Sequence, residues 1–292
     1  MGTTLQDDES GFVTNMLHAL HTKLHAPPTT AAPHLNIADT LLYKFHLPAS
    51  WYFTAADGTL KKKNKSALTA SNIYRQFTRQ CSAPSDVTAC HIDPTPKAGV
   101  RVRYLDVDEL HAFLHSPDQR HRGCLQRFVA PKGANNAMIE AHWSPKMCLL
   151  ERRTNRHRVD GAGSSAGPTE RCATYDGPEH LSVITNVNGR HVIEGVRTAC
   201  DRIAAHVHAV LARDGGAPQQ VNQMKLFFKV DARDRVWLLW CSSIRLARTP
   251  TAAPTVHEGV FIGSPKRMQL LQSSSSKTLL ADFGESAGGE ES

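Results

Sequence analysis

The sequence predicts an α+β protein: a mostly antiparallel sheet built from hairpins, covered by a long amphipathic helix, with disordered tails and linkers. The helix is predicted over residues 190–213, where apolar side chains recur every three or four positions until Asp214-Gly215-Gly216 ends the pattern. The sheet is predicted from two hairpin patterns, each with two apolar arms around a short turn sequence. These observations together favour one sheet with a helix packed on it.

The N-terminal region, residues 1–35, combines a short apolar stripe at helical spacing with a linker rich in Pro and Thr. Residues 36–248 follow as a single α+β domain, since apolar density returns at Asn36 and continues to Leu246. Within it, the Gly/Ser-rich stretch 160–169 is expected to be a flexible loop. Residues 249–292 lack periodicity and end in an acidic segment, so they are expected to be a disordered tail.

The first hairpin is predicted from Met138–Trp143 and Met147–Arg153, which flank the turn sequence Ser144-Pro145-Lys146. It follows a strand-like segment at Cys124–Val129 and a short helix predicted over Asp106–His115. Three consecutive elements with turn signals between them are typical of an antiparallel sheet with a helix at its side.

The second hairpin joins Met224–Val230 to Arg235–Cys241. Strict alternation puts Lys225 and Lys229 on the face of the first arm opposite its apolar residues. The second arm is apolar on both faces, so we expect an inner strand that is covered on both sides. The same alternation predicts one face made of Val236, Leu238 and Trp240, and another made of Trp237, Leu239 and Cys241.

Composition and charge indicate a folded protein that has an acidic partner. The chain has 292 residues, of which 40% are hydrophobic, and 34 Lys+Arg against 27 Asp+Glu give a net charge of +7. The seven cysteines show no CxxC spacing, which favours reduced thiols in a cytosolic compartment. Acidic residues near the N-terminus and the lack of a long apolar run argue against a signal peptide or a membrane span, so a cytoplasmic location is expected.

The basic charge is concentrated in residues 120–171, around the first hairpin. The predicted partner-binding residues are Arg127, Lys146, Arg152, Arg153, Arg156 and Arg158. Such a surface suits an acidic protein partner, and microtubule or axonemal proteins are the class considered, with a flagellar or cytoskeletal location. Nucleic acid is a lower-ranked alternative, because few aromatic residues lie among the arginines.

Motifs for chemistry are sparse, which favours a non-catalytic interaction or scaffold module with no cofactor. There is no Gly-x-Ser-x-Gly elbow and no Gly-Lys-Ser/Thr phosphate loop. The pair His111 and His115 lies one helical turn apart, and His18, His21 and His25 share a helix face, but no further ligand follows at a fixed spacing. No catalytic residue and no metal site is therefore predicted.

Residues 124–243 nevertheless resemble the C-terminal half of the tubulin-tyrosine-ligase-like branch of ATP-grasp enzymes. The matching pieces are Leu125-Gln126-Arg127-Phe128-Val129, the Arg-rich hairpin, the long helix, and Phe228-Lys229-Val230-Asp231 followed by Val236-Trp237-Leu238-Leu239. The composition also resembles that of proteins from kinetoplastid flagellates.

The resemblance implies a nucleotide-dependent ligase as the alternative function, with ATP between two sheets and Mg²⁺ held by Asp231 and a Glu-x-Asn after the last strand. Gln126 and Arg153 would belong to that nucleotide site. The positions that match Glu-x-Asn are Trp240, Cys241 and Ser242, which offer no carboxylate to the metal. If this alternative applies, the sequence therefore predicts a degenerate enzyme.

Overall fold

Two six-stranded sheets form the frame of the protein in a computed structural model. The structure describes residues 16–22, 34–95, 99–116, 121–161, 165–213 and 219–248. Residues 1–15 and 23–33 of the predicted N-terminal helix and linker region, and the predicted acidic tail at 249–292, lie outside the described residues. The predicted α+β class is confirmed, and the strands divide between two sheets.

The C-terminal sheet has the order β1-β12-β11-β8-β9-β10. Its strands are β1 (Asn36–Ile37), β8 (Asn135–Ser144), β9 (Met147–Arg158), β10 (Ser182–Thr185), β11 (Gln219–Val230) and β12 (Val236–Arg248). Both predicted hairpins are confirmed here as β8–β9 and β11–β12. The pairing of β1 with β12 is parallel, and the other pairings of this sheet are antiparallel.

The N-terminal sheet has the order β4-β3-β2-β7-β5-β6 and is antiparallel throughout its described pairings. Its strands are β2 (Thr40–Lys44), β3 (Leu47–Thr54), β4 (Leu60–Lys62), β5 (Ala89–Thr95), β6 (Gly99–Leu105) and β7 (Cys124–Arg127). Two helices, α2 (Ala70–Thr78) and α3 (Val107–His115), cover one face of it. Asp106 begins α3 with a capping box, in which its side chain accepts from Glu109 N at 2.8 Å.

The long helix covers one face of the C-terminal sheet. It is α5 (Arg190–Arg213), with the predicted bounds, and it buries Val196, Ile203 and Val207 against β11. The short helix α1 (Met16–His21), from the predicted N-terminal region, packs on α5, and His206 Nε2 lies 3.0 Å from Ala19 O. A further short helix, α4 (Pro168–Cys172), lies within the C-terminal part of the predicted Gly/Ser loop and beyond it.

One face assignment in β12 was wrong. Trp240 lies with Leu239 and Trp237 in the core between the two sheets, whereas Cys241 faces α5 with Leu238. The cause is an irregularity in the β11–β12 ladder, where Phe227 pairs with Trp240 but Phe228 pairs with Leu238. Because an extra residue in one strand reverses the alternation beyond it, Trp240 and Cys241 exchange faces.

No helix among the described residues is both long enough and apolar enough to cross a bilayer.

Candidate functional site: the space between the sheets and the β8–β9 hairpin

The space between the two sheets is filled by side chains of the protein itself. The second face of the C-terminal sheet packs on the N-terminal sheet through a cluster of buried apolar residues. It contains Ala38, Val87, Cys90, Ile92, Val102, Tyr104, Cys124, Val129, Met138, Cys172, Phe227, Leu239 and Trp240. At its centre the rings of Phe227 and Trp240 stack, with centroids 4.9 Å apart. The resemblance to ATP-grasp proteins implies a nucleotide in this space.

Lys229 is buried in this region, although it was expected only to point away from the helix-covered face. Lys229 is only 2% exposed, and its Nζ lies 3.6 Å from the centroid of the Phe128 ring. Burial lowers the pKa of Lys229 to about 7, while the neighbouring thiols of Cys172 and Cys90 act in the opposite direction. The second sheet is what buries it, since Phe128 directly follows β7.

Gln126 connects the two sheets. Its Nε2 donates to Thr40 Oγ1 at 2.9 Å and to Leu239 O at 3.1 Å, which joins β7 to β12. The side-chain oxygen is buried and has no hydrogen-bond partner in the described part of the chain. Gln126 therefore acts as a buried polar link between the layers.

Asp231, the metal ligand that the resemblance implies, is engaged by the turn between β11 and β12. Its carboxylate accepts from the backbone N–H of Arg233 and of Arg235, from Arg235 Nε at 2.8 Å and from Trp237 Nε1 at 2.9 Å. Partial burial acts to raise the pKa of Asp231, but the hydrogen bonds from Trp237 and Arg235 outweigh it and lower the pKa. These contacts give Asp231 a structural role as the anchor of a tight turn.

A cleft of about 710 Å³ opens where this turn approaches the ends of α2 and β7. Arg127 lines it, with Nη1 donating to Gln80 Oε1 at 2.8 Å and Nε 3.5 Å from Asp39 Oδ2. The other charged residues of the cleft are Arg233, Arg235, Asp86, Asp160 and Asp231. Positive and negative groups are thus present in equal number.

The arginines of the predicted hairpin surface lie on both faces of β9. Arg152 pairs with Ile139 and lines a groove of about 490 Å³ beside the start of α5. Arg153 pairs with Met138 and lies on the opposite face, where its guanidinium is 5.1 Å from the Tyr175 ring centroid and Nε donates to Glu151 at 3.3 Å. Strand alternation therefore places these two predicted partner-binding residues on opposite sides of the sheet.

The other predicted residues are exposed. Lys146 lies in the β8–β9 turn, Arg156 lies on β9, and Arg158 is paired with Asp160 at 2.6 Å. Arg127, in the cleft at the other end of the inter-sheet space, is separate from the hairpin. The structure thus puts Arg153 on the strand face opposite Arg152, whereas Lys146 lies in the turn at the end of the hairpin.

An exposed apolar stripe was missed in the sequence. Met147 and Leu149 are 60% and 58% exposed on β9, and Ile184 on the edge strand β10 is 64% exposed. Alternation along β9 puts Met147 and Leu149 on the face of Arg153, and Ile184 is the direct partner of Arg153. Met147, Leu149, Arg153 and Ile184 are called the docking stripe below. The alternate spacing of Met147, Leu149 and Glu151 was the signal available.

Glu140, on the same face, was also missed as an ion-pair centre. Its side chain is buried and lies 2.6 Å from Lys225 Nζ and 2.5 Å from His142 Nε2. Lys225 on β11 is the direct partner of His142 on β8, and Glu140 on β8 is the direct partner of Glu151 on β9. The charged network therefore borders the docking stripe on the side of the sheet centre.

The predicted histidine pair on α3 is held by local contacts. The rings of His111 and His115 stack with centroids 4.2 Å apart, and His115 Nδ1 lies 2.9 Å from His111 O. Among the described residues no group of three or more His, Cys, Asp or Glu side chains is arranged to hold a metal ion. His25, from the other predicted set, lies outside the described residues.

Among solved structures, ATP-grasp proteins match this chain at low identity. The ATP-grasp ligase PsnB with a minimal precursor matches at 13% identity and a TM-score of 0.37, over 77% of this chain and 50% of that chain. The macrocyclase MdnC from Microcystis aeruginosa, bound to the precursor peptide MdnA, matches at 11% and 0.36, over 83% and 56%. The C-terminal domain of Pby1 from K. lactis, an ATP-grasp enzyme, matches at 12% and 0.33, over 82% and 68%.

The chain spans about half the length of the first solved structures that it matches. No family model and no curated protein matches the sequence. At these identities and TM-scores the likeness is partial, and it does not identify an activity for this chain.

Proposed function

We propose that this protein is a non-catalytic interaction module that docks on an acidic protein surface through the β8–β9 hairpin. The observation that carries the proposal is the packed space between the two sheets. Phe227, Trp240 and the neighbouring apolar side chains fill the space in which the ATP-grasp resemblance implies ATP. Asp231 is in addition saturated by donors of its own turn. A fold whose interior is closed in this way offers its outer surface for function.

The docking stripe supplies the contact chemistry. Met147, Leu149 and Ile184 present apolar area without a cover in the described part of the chain. Arg153 supplies a positive charge next to Ile184, and Lys146 supplies another from the turn directly before Met147. Interfaces commonly combine an apolar centre with a charged rim that selects the partner. The partner proposed is an acidic protein segment that also carries apolar side chains.

Acidic cytoskeletal filaments fit this description, so the proposal includes a cytoplasmic location at a cytoskeletal or flagellar assembly. Electrostatic attraction would bring the basic protein to such a surface, since its net charge is +7. The apolar stripe would then provide the contacts that persist at physiological salt, where exposed charge pairs are screened.

The test is cosedimentation of the full chain with polymerised microtubules at physiological salt. The double variant Lys146→Gln/Arg153→Gln should weaken binding by about tenfold or more, because it removes the charge within the docking stripe and the charge in the adjoining turn. The matched control is Arg152→Gln/Arg158→Gln, which removes the same charge from the same hairpin but leaves the stripe unchanged. Equal weakening by both variants, or no binding by the unmodified protein, would contradict the proposal for this class of partner.

The second candidate is nucleotide binding in the cleft beside Arg127. The observation that favours it is the position of this 710 Å³ cleft at the junction of the two sheets, with Arg127, Arg233 and Arg235 available to phosphate groups. A thermal-shift titration with Mg-ATP tests it. A real site should raise the stability by about 2.7 kcal/mol at one hundred times its dissociation constant.

For a domain of this size that gain corresponds to a rise in Tm of roughly 5–10 °C. Because the cleft contains as many acidic as basic residues, we expect no such shift from ATP with or without magnesium. A saturable shift that disappears in Arg127→Gln would replace the docking proposal with a nucleotide-binding function.

A further inference from the structure

Two cysteines that are distant in sequence meet between β9 and α5. Cys200 is fully buried in the middle of α5, and Cys148, the second residue of β9, packs against the same cluster with its thiol next to that of Cys200. Cys148 is only half-buried, and it packs at the border of the core that contains Cys200. One thiol of the pair is therefore accessible from solvent and the other is not.

The register of the sheet fixes this meeting independently of the thiols. Cys148 is the direct partner of Trp143 on β8, so both side chains face α5. Trp143 Nε1 donates to Asp201 Oδ1 at 2.7 Å, which holds the residue next to Cys200 against the same pair of strands. The hydrogen bond between Trp143 and Asp201 and the apolar packing around Cys200 thus hold Cys148 and Cys200 next to each other.

The surroundings favour reactivity at Cys148. The hydrogen bond from Cys200 lowers the pKa of Cys148, burial acts to raise it, and the Arg197 guanidinium on α5 lowers it further. The pKa of Cys200 is raised, first by that hydrogen bond and then by burial, with Asp201 and Cys241 as further contributors. The thiolate is the nucleophilic form, so Cys148 is the thiol that reacts first.

We propose that Cys148 and Cys200 are a peroxide-responsive thiol pair that forms a reversible disulfide between β9 and α5. The inference does not depend on the docking stripe, because both sulfur atoms lie on the other face of the sheet. The oxidant is a hydroperoxide such as hydrogen peroxide. A cellular dithiol reductant would restore the two thiols.

The chemistry takes place in two balanced steps. The Cys148 thiolate attacks one oxygen of the peroxide, the O–O bond breaks, hydroxide leaves, and Cys148 becomes a sulfenic acid. The sulfur of Cys200 then attacks the sulfur of the sulfenic acid, the S–O bond breaks, and the hydroxyl leaves as water with the proton of Cys200. Two thiols and one peroxide thus give one disulfide and two water molecules.

The experiment treats the purified full chain with hydrogen peroxide, blocks the remaining thiols, and maps the peptides by mass spectrometry without reduction. The expected result is a linked peptide pair containing Cys148 and Cys200, which dithiothreitol abolishes. Cys81, which is also half-buried but has no facing thiol among its described contacts, is the internal control and should stay largely reduced. Oxidation of Cys81 at the same rate, or a disulfide from Cys148 to any other cysteine, would overturn the proposal.

The variant Cys200→Ala separates the two steps. It should still form the sulfenic acid at Cys148, which dimedone traps, but it should form no intramolecular disulfide. If this variant does not fold, the Tm of the unmodified protein provides the second measurement, since a crosslink between a strand and a helix should raise it by about 5 °C or more. An oxidised protein with a linked pair but an unchanged or lower Tm would show a strained, non-native crosslink and would also overturn the inference.

Discussion

Replacing Lys229 with methionine should make the folded protein more stable at pH 6–7, by up to about 5 kcal/mol. The ammonium group is buried beside the Phe128 ring, and its desolvation lowers the pKa to about 7, compared with about 10.4 in an unfolded chain. Below pH 7 the lysine is charged in both states, so the full cost of burying that charge is present. Methionine has a similar shape and no charge to desolvate.

The advantage of the variant should shrink as the pH rises. Between pH 7 and 10 the unfolded lysine keeps its proton while the folded one has lost it, so stability of the unmodified protein gains about 1.4 kcal/mol per pH unit from this group. Buried Cys90 and Cys172, whose pKa values rise to about 12 with burial as the main cause, act in the opposite direction above a pH of about 8.5. The difference between variant and unmodified protein removes this shared contribution.

The measurement is urea unfolding of both proteins at pH 6, 7, 8 and 9. Lys225→Met is the matched control on the same strand: it should lower the stability, since it deprives the buried Glu140 carboxylate of a partner at 2.6 Å. A Lys229→Met variant with a constant stability difference across this pH range would show that the ammonium group is hydrated.

Replacing Trp240 with alanine should lower the free energy of unfolding by about 3–5 kcal/mol. Trp240 fills the space between the two sheets and stacks on Phe227, so its removal leaves a cavity in a core that cannot readily collapse. The Trp240 Nε1 donor has no hydrogen-bond partner in the described part of the chain, so the loss is one of packing.

The conservative variant Trp240→Phe separates packing from polarity. It keeps an aromatic ring and removes an unpaired buried donor, so we expect a cost of roughly 1 kcal/mol. Both variants can be measured by denaturant unfolding followed by circular dichroism. A cost below about 1 kcal/mol for Trp240→Ala would mean that the inter-sheet space is loosely filled, and the main support for a non-catalytic function would be lost.

Local signals in the sequence were enough for the principal elements. The helix α5 has the predicted bounds because both signals are local: its own apolar spacing, and the Gly215-Gly216 pair that follows its last residue in the sequence. The hairpins β8–β9 and β11–β12 are equally local, since each turn sequence lies between its two arms. For the same reason Asp106 marks the start of α3 correctly.

The arrangement of the elements in space could not be predicted in this way. The bulge that exchanges Trp240 and Cys241 depends on the pairing with β11, and the burial of Lys229 depends on a sheet contributed by residues far away in the chain. The placement of Arg152 and Arg153 on opposite faces follows from a different cause, since adjacent residues of a strand point to opposite sides of the sheet. The contact of Cys148 with Cys200 crosses two elements and leaves no sequence signal.

The parallel pairing of Asn36 and Ile37 with Trp237 and Leu238 has a consequence for biogenesis. Asn36 and Ile37 can pair only after some two hundred further residues have been synthesised. Gln126 likewise meets the carbonyl of Leu239 only when that later strand is present. During translation the emerging chain must therefore hold apolar strands without their final cover, and closure of the fold is a late, slow event of high contact order. Apolar strands exposed in this way are prone to aggregate until the fold has closed.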